Sequence, residues 1–318
     1  MTNQNLINTD FHKPVLLNEM IEALNPKDNE IYLDGTFGAG GYSRAILQKA
    51  NCKVFAIDCD ESAKRFSEKL EQEFPNRFKL LSGKFSQCQE LLEQENITKI
   101  DGMVFDIGVS SMQFDDLERG FSFDSEARLD MRMDNNQSLS AFEVVNEFSE
   151  KELEKIIKEF GEERKAKLIA KRIVANRKVK AIESCLDLAK IARSFYYGYF
   201  KTDSATKTFQ AIRIFVNQEL EELKSALNSS ISLLKNDGRL VVVSFHSLED
   251  KIVKDFFKKQ SGLDRAISRY EPEEESAVET NFYLDKRSAI LPSEEEIKNN
   301  PRSRSAKLRV GFRKREEI

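Results

Sequence analysis

A glycine-rich segment, DGTFGAGG at residues 34–41, follows a short apolar stretch near the start of the chain. Glycines in such a turn permit positive φ angles and let backbone N–H groups approach a ligand at the N-terminus of the next helix. A Walker A loop would end in Gly-Lys-Ser or Gly-Lys-Thr, but this segment continues as GYS, which excludes hydrolysis of a nucleoside triphosphate. A dinucleotide-binding fingerprint needs G-x-G-x-x-G, and the spacing of Gly38, Gly40 and Gly41 does not match it.

The form that remains is an acidic strand end followed by G-x-G-G, which resembles the S-adenosylmethionine-binding loop of Rossmann-like methyltransferases; a plain strand–helix turn is the alternative. Asp58 ends the next apolar stretch and can accept hydrogen bonds from both ribose hydroxyls, as an acidic residue about twenty positions past the glycines does in this architecture. Asp58 could instead cap the following helix, although Asp60 is available for that role. Phe85 is expected either against the adenine ring or in the core.

Asp106 ends a fourth apolar stretch, at the position where amino-directed methyltransferases hold the exocyclic amine that attacks the methyl group. The lone pair of a nucleobase amine is delocalised into the ring, so the enzyme must align the amine and draw charge from it. Enzymes that methylate a ring carbon need a cysteine nucleophile instead. No cysteine occurs between Cys88 and Cys185, which favours methylation of nitrogen.

The elements that must position these residues alternate between strand and helix. Apolar strands at 31–33, 54–57, 78–81 and 103–105 are separated by amphipathic helices, the first capped by Ser43, and this pattern predicts βαβ units and a parallel sheet. The stretch from about 115 to 202 is predicted to contain a loop and helices only. Two helices are predicted within this stretch, Glu150–Phe160 and Glu163–Lys178. Strand–helix alternation then returns with a helix at Thr206–Leu234, a strand at 239–245, and weaker strands at 282–290 and 307–312.

Composition narrows the class of protein. The chain has 318 residues, 40% hydrophobic and 33% charged, which is enough to bury a core. Its net charge of -4 excludes a uniformly basic nucleic-acid coat. No apolar run is long enough to span a membrane, and the first residues lack the pattern of a signal peptide, so a cytoplasmic protein is expected. Four cysteines without a C-x-x-C pair and two histidines predict neither a metal site nor a disulfide framework.

Long stretches of the chain resemble the bacterial 16S ribosomal RNA cytosine-N4 methyltransferases, the MraW-type family. The matching stretches run from residue 12 to residue 310 and are HKPVLLNEMIEAL, YLDGTFGAGGYSRAIL, DIGVSSMQFDDLERGFSFDSEARLDMRMD, TKTFQAIRIFVNQELEEL, GRLVVVSFHSLEDKIVKDFF and NPRSRSAKLRV. The resemblance implies an α/β fold, a Rossmann-like class I S-adenosylmethionine-dependent methyltransferase sheet with an inserted helical domain. The catalytic domain is then expected at 1–114 and 203–318, and the insertion at 115–202 is expected to recognise the RNA substrate.

Carried over position by position, the resemblance also implies the cofactor contacts. They fall on Gly40, Gly41, Tyr42, Asp58, Phe85, Asp106 and Gln113. Tyr42 stands where the family usually has histidine, so its contact is expected through the backbone, and Met112 stands where the family often has proline, which leaves the loop before Gln113 less restricted.

Asp106 and His246 are the candidate catalytic residues. A hydrolase triad in SFHSLED, residues 244–250, is rejected because neighbouring residues at a strand end point in different directions and no oxyanion loop accompanies them. His246 is therefore either a cytidine-site residue or a helix cap. Phe121, Phe123 and Phe245 are candidates for stacking on a splayed cytosine, and burial in a core is their alternative.

Two basic runs are candidate phosphate contacts. Residues 164–180 contain eight lysines or arginines and no acid, and residues 298–318 contain eight basic residues and two glutamates. The first run is represented by Arg172 and Arg177 and the second by Arg302 and Arg304, and a solvated charged surface is the alternative for both.

The function predicted from the sequence is transfer of a methyl group from S-adenosylmethionine to N4 of a cytidine in 16S rRNA, with the small ribosomal subunit as the partner. An amino methyltransferase acting on DNA or another RNA, and a catalytically idle RNA-binding assembly factor, are the alternatives. The sequence is compatible with a homodimer as well as with a monomer.

Overall fold

The computed structural model describes residues 14–110, 112–113, 116–198, 202–263 and 280–315, so His12 and the acidic segment 271–279 lie outside the described residues. The chain forms two compact units, one containing Met1–Gly108 and Glu221–Ile318 and the other containing Val109–Leu220. The insertion predicted at 115–202 is therefore too short at both ends. Its end was misplaced because the helix that starts at Thr206 packs into the core of the second unit.

One seven-stranded sheet lies in the first unit. Its strands are β1 Ile31–Asp34, β2 Lys53–Asp58, β3 Phe78–Ser82, β4 Ile100–Asp106, β5 Leu234–Ser244, β6 Phe282–Tyr283 and β7 Lys307–Arg313. Their order is β3-β2-β1-β4-β5-β7-β6; β1 to β5 are parallel, and β7 is antiparallel to both β5 and β6. The predicted α/β class with a Rossmann-like parallel sheet is confirmed. This topology brings the carboxyl ends of β1, β2, β4 and β5 to one edge, where open α/β sheets bind ligands.

Helices accompany the strands and also build the second unit. In chain order they are α1 Leu17–Leu24, α2 Gly41–Lys49, α3 Lys64–Glu73, α4 Cys88–Gln94, α5 Ala141–Glu147, α6 Glu150–Gly161, α7 Ala166–Arg177, α8 Cys185–Arg193, α9 Thr206–Asn217, α10 Glu219–Leu233, α11 Ser247–Gln260 and α12 Glu294–Asn299. Within the described residues, none of these helices is long and apolar enough to cross a membrane.

The central strands are buried on both faces. In β5, Leu240 and Val242 belong to one hydrophobic core, whereas Val241 and Val243 belong to another. Because successive side chains of a strand point to opposite faces, these two cores cover the two faces of the sheet. Burial on both sides explains why the strands are continuous apolar runs in the sequence and why they could be predicted.

The second unit folds around its own core, to which α5 to α9 all contribute. In α6 the buried residues Leu153, Ile156 and Ile157 recur at helical spacing, and Ser149 caps the helix by accepting from the backbone N–H of Glu152. A helix with one apolar face and a capped first turn is stabilised by this packing more than by propensity. The unit therefore has the features of a separate helical bundle.

Three predicted elements differ from the structure. The long helix expected from Thr206 to Leu234 is two helices, because Gln218 adopts a left-handed conformation (φ 53°) that ends α9. The strand expected at 282–290 is reduced to Phe282–Tyr283, with a single further bridge at Ile290. Ser43 does not cap α2, since Gly40 occupies that position.

Candidate active site

Three aspartates end three adjacent strands at the carboxyl edge of the sheet. Asp34 closes β1, Asp58 closes β2 and Asp106 closes β4, and β1 lies between the other two strands. Strand order alone therefore gathers carboxylates that are 24 and 48 positions apart along the chain. This is the edge at which the sequence predicted the cofactor and the reacting amine.

Asp34 organises the glycine-rich loop after β1. Its carboxylate is 1% exposed and accepts hydrogen bonds from the Ser43 hydroxyl (2.7 Å), the Ser43 backbone N–H (3.1 Å) and the Thr36 backbone N–H (3.3 Å). Burial raises its pKa to about 6, although these three bonds favour the charged form. The sequence indicates only a strand end at Asp34 and a helix cap at Ser43, and it does not indicate that these two residues together fix the loop.

The glycines of the loop serve backbone geometry and close packing. Gly40 has φ 79°, a left-handed conformation that favours glycine, and a Cβ there would lie 2.8 Å from the Phe37 ring. A Cβ on Gly41 would lie only 2.2 Å from Cγ of Pro14. Larger residues at either position would displace the loop. The N–H groups of Gly38 and Gly40 are already bonded within the protein, to Asp58 Oδ2 and to the Phe37 carbonyl, so an approach of the loop backbone to a ligand stays a prediction.

Tyr42 follows the glycines as the second residue of α2, and its side chain is buried. The hydroxyl donates a hydrogen bond to the backbone carbonyl of Val15, and burial raises its pKa well above the ordinary value. The phenol ring is thus part of the hydrophobic core. A contact between Tyr42 and a cofactor would have to use the backbone, as expected from the departure at this position.

Asp58, the residue predicted to hold a ribose, supports the glycine-rich loop. Its Oδ2 accepts from the backbone N–H of Gly38 at 2.7 Å, and its Oδ1 accepts from the backbone N–H of Asp60 at 2.8 Å. Burial raises its pKa to about 6 against both of these bonds. Asp60, not Asp58, caps the following helical turn by accepting from Ser62 N–H at 2.9 Å. Each oxygen of Asp58 retains capacity for a second donor.

Phe85 begins the short 3-10 turn Phe85–Gln87 after β3, and its ring is half-buried. It packs against Phe105 with ring centroids 5.8 Å apart and tilted by 52°. Phe85 is thus partly a core residue, and the exposed part of the ring is what an adenine could cover. Beside it, Lys84 Nζ pairs with Glu222 Oε1 at 3.1 Å.

Asp106 is held by the glycine-rich loop and has an unsatisfied oxygen. Its backbone N–H donates to Thr36 Oγ1 at 2.7 Å, which ties the end of β4 to the turn after β1. Its Oδ1 is buried and makes no hydrogen bond with the described residues. Burial, followed by the carboxylates of Asp34 and Glu249, raises the pKa of Asp106 well above its ordinary value. Such a carboxyl group is typical of a functional site.

His246 follows the neighbouring strand β5 and caps α11. Its Nδ1 accepts from the backbone N–H of Glu249 at 3.4 Å, while Glu249 Oε2 accepts from the backbone N–H groups of Phe245 (2.8 Å) and His246 (3.2 Å). The cap role considered from the sequence is therefore present. Since Nδ1 is an acceptor, the proton of the neutral ring lies on Nε2.

The second ring nitrogen of His246 is left without a hydrogen bond. Nε2 lies 2.9 Å from Oε1 of the fully buried Glu249, but the two atoms do not meet the angles of a hydrogen bond, and both are buried without a partner among the described residues. Distance alone would suggest an ion pair, and the direction of the ring N–H argues against one. His246 thus presents a buried donor at the end of β5.

Gln113 and two of the three aromatic candidates, Phe121 and Phe123, make local or core contacts. Gln113 belongs to the second unit, where its Oε1 accepts from the backbone N–H of Ser110 at 3.1 Å, so that oxygen is used in a local turn. Phe121 is buried in the core of the second unit, and Phe123 packs edge-on against Phe209 at 5.9 Å. Phe121 is therefore a core residue rather than a stacking platform. Phe245 is half-buried against the sheet core.

The two pairs of arginines predicted to bind phosphate differ in their surroundings. Arg172 is exposed on α7, whereas Arg177 donates to the backbone carbonyls of Val145 (2.6 Å) and Phe148, which ties α7 to the end of α5. Arg177 thus has a structural role that charge counting missed. Arg302 and Arg304 are exposed in the 3-10 turn Pro301–Ser305, which immediately precedes β7.

Comparison with known proteins identifies the family. A model of the MraW methylase family matches residues 9–314. Ribosomal RNA small subunit methyltransferase H of Rickettsia massiliae is 50% identical over 304 residues, covering 94% of this chain and 97% of that protein. The protein of the same name from Ehrlichia canis is 49% identical over 302 residues, covering 94% and 99%. A crystal structure of an rRNA methylase from Streptococcus thermophilus has a TM-score of 0.41 at 10% identity, covering 94% of this chain and 93% of that one. The sequence matches confirm the predicted family, and the chain belongs to the MraW methylases.

Proposed function

We propose that this chain transfers a methyl group from S-adenosylmethionine to N4 of a cytidine in 16S rRNA of the small ribosomal subunit. Membership of a methylase family supports the reaction and its methyl donor. The name shared by the curated relatives supports ribosomal RNA of the small subunit as the substrate. The observation that carries the choice of an amino group is the pair of buried, unsatisfied atoms at the ends of β4 and β5, Asp106 Oδ1 and His246 Nε2.

The donor and acceptor types of this pair match those along one edge of a nucleobase. Asp106 Oδ1 is an acceptor and His246 Nε2–H is a donor, while cytosine presents the N4 amine as a donor next to N3 as an acceptor. A buried polar atom without a partner costs about 1–3 kcal/mol, so a base that satisfies both atoms is favoured. Adenine presents the same donor–acceptor order, and cytosine is preferred here because of the family resemblance.

Asp106 can both orient the amine and receive its proton. An acceptor for N4–H aligns the nitrogen and draws electron density towards its lone pair as the N–C bond to the methyl group forms. The new bond leaves N4 positively charged, and one N–H proton must then leave. A carboxylate whose pKa is raised by burial holds that proton more readily than an ordinary aspartate, and no stronger base is required.

The residues at the ends of β1, β2 and β3 fit the cofactor. Asp58 offers acceptors for the ribose hydroxyls, the left-handed conformation of Gly40 shapes the turn before α2, and the half-buried ring of Phe85 suits the adenine. When bound, S-adenosylmethionine would supply the methyl group from its positive sulfonium sulfur and would leave as the neutral thioether S-adenosylhomocysteine. Thr36 connects the loop to Asp106 through a 2.7 Å hydrogen bond, so the loop and the reacting end of β4 are positioned together.

Basic residues at the same edge of the sheet are proposed to hold the RNA. Because β7 is antiparallel to β5, its first residue Lys307 pairs with Ser244, the last residue of β5. The turn that carries Arg302 and Arg304 therefore lies at the carboxyl edge, as His246 does. Lys307 itself pairs with Asp250 at 2.8 Å and so fixes β7 to α11, whereas the exposed guanidinium of Arg304 has no ion pair with a described residue. Arg304 is thus the better phosphate ligand of these cations.

The proposal is tested by purified protein with three methyl acceptors: naked 16S rRNA, assembled small subunits and DNA, analysed by nucleoside mass spectrometry. We expect N4-methylcytidine in ribosomal RNA. Methyladenine, or transfer to a ring carbon, would overturn the proposal. Methylation of an amino group in DNA alone or in another RNA would also overturn it, and would establish the second candidate.

Two variants separate catalysis from folding. Asp106→Asn retains the size of the side chain but loses its charge and its capacity to take a proton, and kcat should fall at least on the order of 100-fold. His246→Asn retains a good helix cap while removing Nε2, so KM for RNA should rise with little change in melting temperature. If His246→Asn leaves KM and kcat unchanged, His246 is a cap only.

A further inference from the structure

Three consecutive aromatic residues follow α8 in the helical unit. Phe195 and Tyr196 are half-buried, whereas Tyr197 is 88% exposed. Within the part of the chain that the structure describes, the Tyr197 side chain makes no hydrogen bond or ring contact. The Tyr197 ring therefore offers an aromatic face to solvent beside two packed aromatic residues.

The first two rings are fixed by cations of the basic run. The Arg172 guanidinium lies 5.3 Å from the centroid of the Phe195 ring, and Lys165 Nζ lies 3.9 Å from the centroid of Tyr196. Lys165 also donates to the backbone carbonyl of Phe195, and the Tyr196 hydroxyl donates to the Glu163 carboxylate. The backbone that precedes Tyr197 is therefore anchored to the start and middle of α7.

The exposed surface of α7 beside these rings is strongly cationic. Lys167, Lys171 and Arg172 are exposed at helical spacing, together with Leu168, and residues 164–180 contain no acid. Glu163, which accepts a hydrogen bond from the Tyr196 hydroxyl, is 3% exposed, so its charge is withdrawn from this surface. Exposed aromatic rings interleaved with cations are the combination that binds single-stranded nucleic acid.

We propose that Tyr197 and the exposed cations of α7 form a stacking platform for single-stranded RNA. An unpaired base would stack on the Tyr197 ring while Lys171 and Arg172 contact the flanking phosphates. The choice of RNA over DNA rests on the proposed function; the stacking itself does not. Stacking is sequence-tolerant because every base has a π-face, so the platform would hold an RNA strand without reading it.

The test is fluorescence anisotropy of the full chain with a labelled, unstructured 12-nucleotide RNA, repeated at several salt concentrations. Tyr197→Ala should weaken binding about 5- to 100-fold with an unchanged salt slope, because stacking releases no counterions. Tyr197→Phe keeps the ring and should bind like the wild type. Arg172→Gln should reduce the log–log salt slope by about 0.7. Tyr283→Ala, a change at another partly exposed tyrosine (38%) on the sheet edge, should alter neither quantity.

Wild-type binding by Tyr197→Ala overturns the platform, and so does an equal loss in Tyr197→Ala and Tyr283→Ala. Weakened binding to assembled small subunits without weakened binding to the RNA would point to a protein partner and also overturns it. The assay requires no methyl transfer, so failure of the proposed function would be seen separately, as a lack of methylated product. Melting temperatures of all variants exclude unfolding as the cause.

Discussion

Asp58 offers the sharpest test of the cofactor site. Each carboxylate oxygen already accepts one backbone N–H, from Gly38 and from Asp60, and can accept one further donor from a ribose. Asp58→Ala removes both acceptors. A hydrogen bond to a charged group contributes about 1.5–3 kcal/mol, so the loss is about 3–6 kcal/mol. The affinity for S-adenosylmethionine should therefore fall by at least a factor of about 100, since about 1.4 kcal/mol corresponds to a tenfold change.

The same substitution also weakens the glycine-rich loop, and a matched variant controls for this. Asp60→Ala removes an aspartate two residues away and breaks the cap to Ser62, which should cost about 0.5–2 kcal/mol of stability. Its cofactor affinity should stay close to that of the wild type. Titration calorimetry with S-adenosylhomocysteine and thermal denaturation measure the two effects. Equal affinities for Asp58→Ala and wild type, or equal losses in both variants, would refute the ribose contact.

Because the pKa of Asp58 is raised, cofactor affinity and the free energy of unfolding should change in opposite directions with pH. The ionised carboxylate is the better acceptor, so affinity should fall as the pH drops through about 6, by about tenfold per pH unit below it. The folded-state pKa of about 6 exceeds the ordinary value of 3.8, so folded Asp58 binds more protons than unfolded Asp58 between these values. Its contribution to the free energy of unfolding should then rise as the pH falls from 7 to 4. Comparing the wild type with Asp58→Ala at each pH separates the contribution of Asp58 to affinity and to the free energy of unfolding. A wild-type affinity that is constant from pH 7.5 to 5 would contradict the ribose contact of Asp58.

Three further predictions concern neighbouring residues. Thr36→Val removes the acceptor for the backbone N–H of Asp106 and should lower kcat in a methyl-transfer assay, whereas Thr36→Ser should preserve it; equal rates would show that this bond does not position Asp106. Tyr42→Phe leaves a buried carbonyl unsatisfied and should cost about 1–3 kcal/mol in denaturant unfolding, with cofactor affinity unchanged in calorimetry. Neutralising Arg302 and Arg304 together should weaken RNA binding and lower the log–log salt slope by about 0.7 to 0.9 per lost contact; lost stability with an unchanged slope would make them structural.

The parallel strands of the sheet could be predicted because each is mainly an apolar run that ends in a polar residue. Burial on both faces leaves this pattern in the sequence for β1, β2 and β4, and their terminal aspartates mark the carboxyl edge. The break at Gln218 could not be predicted, because glutamine has no strong preference for the left-handed conformation and both flanking segments are good helix formers. Side-chain partners chosen by tertiary structure, such as Ser43 for Asp34, leave no local pattern either.

The proposed catalytic residue is acidic, whereas the residues proposed to bind RNA are basic, and the charges at the carboxyl edge explain this difference. Three aspartates end strands at the carboxyl edge of the sheet, which makes this edge an acidic site that an RNA phosphate would avoid. Burial is the main cause of the raised pKa of Asp106, and the carboxylates of Asp34 and Glu249 add to it. A net charge of -4 adds no general attraction for a polyanion. Cations must therefore be supplied locally, and at this edge the antiparallel pairing of β7 with β5 supplies them by bringing the Pro301–Ser305 turn close to the end of β5. In the proposed function the acidic centre accepts the amine of the base, while exposed arginines beside it hold phosphates of the same RNA.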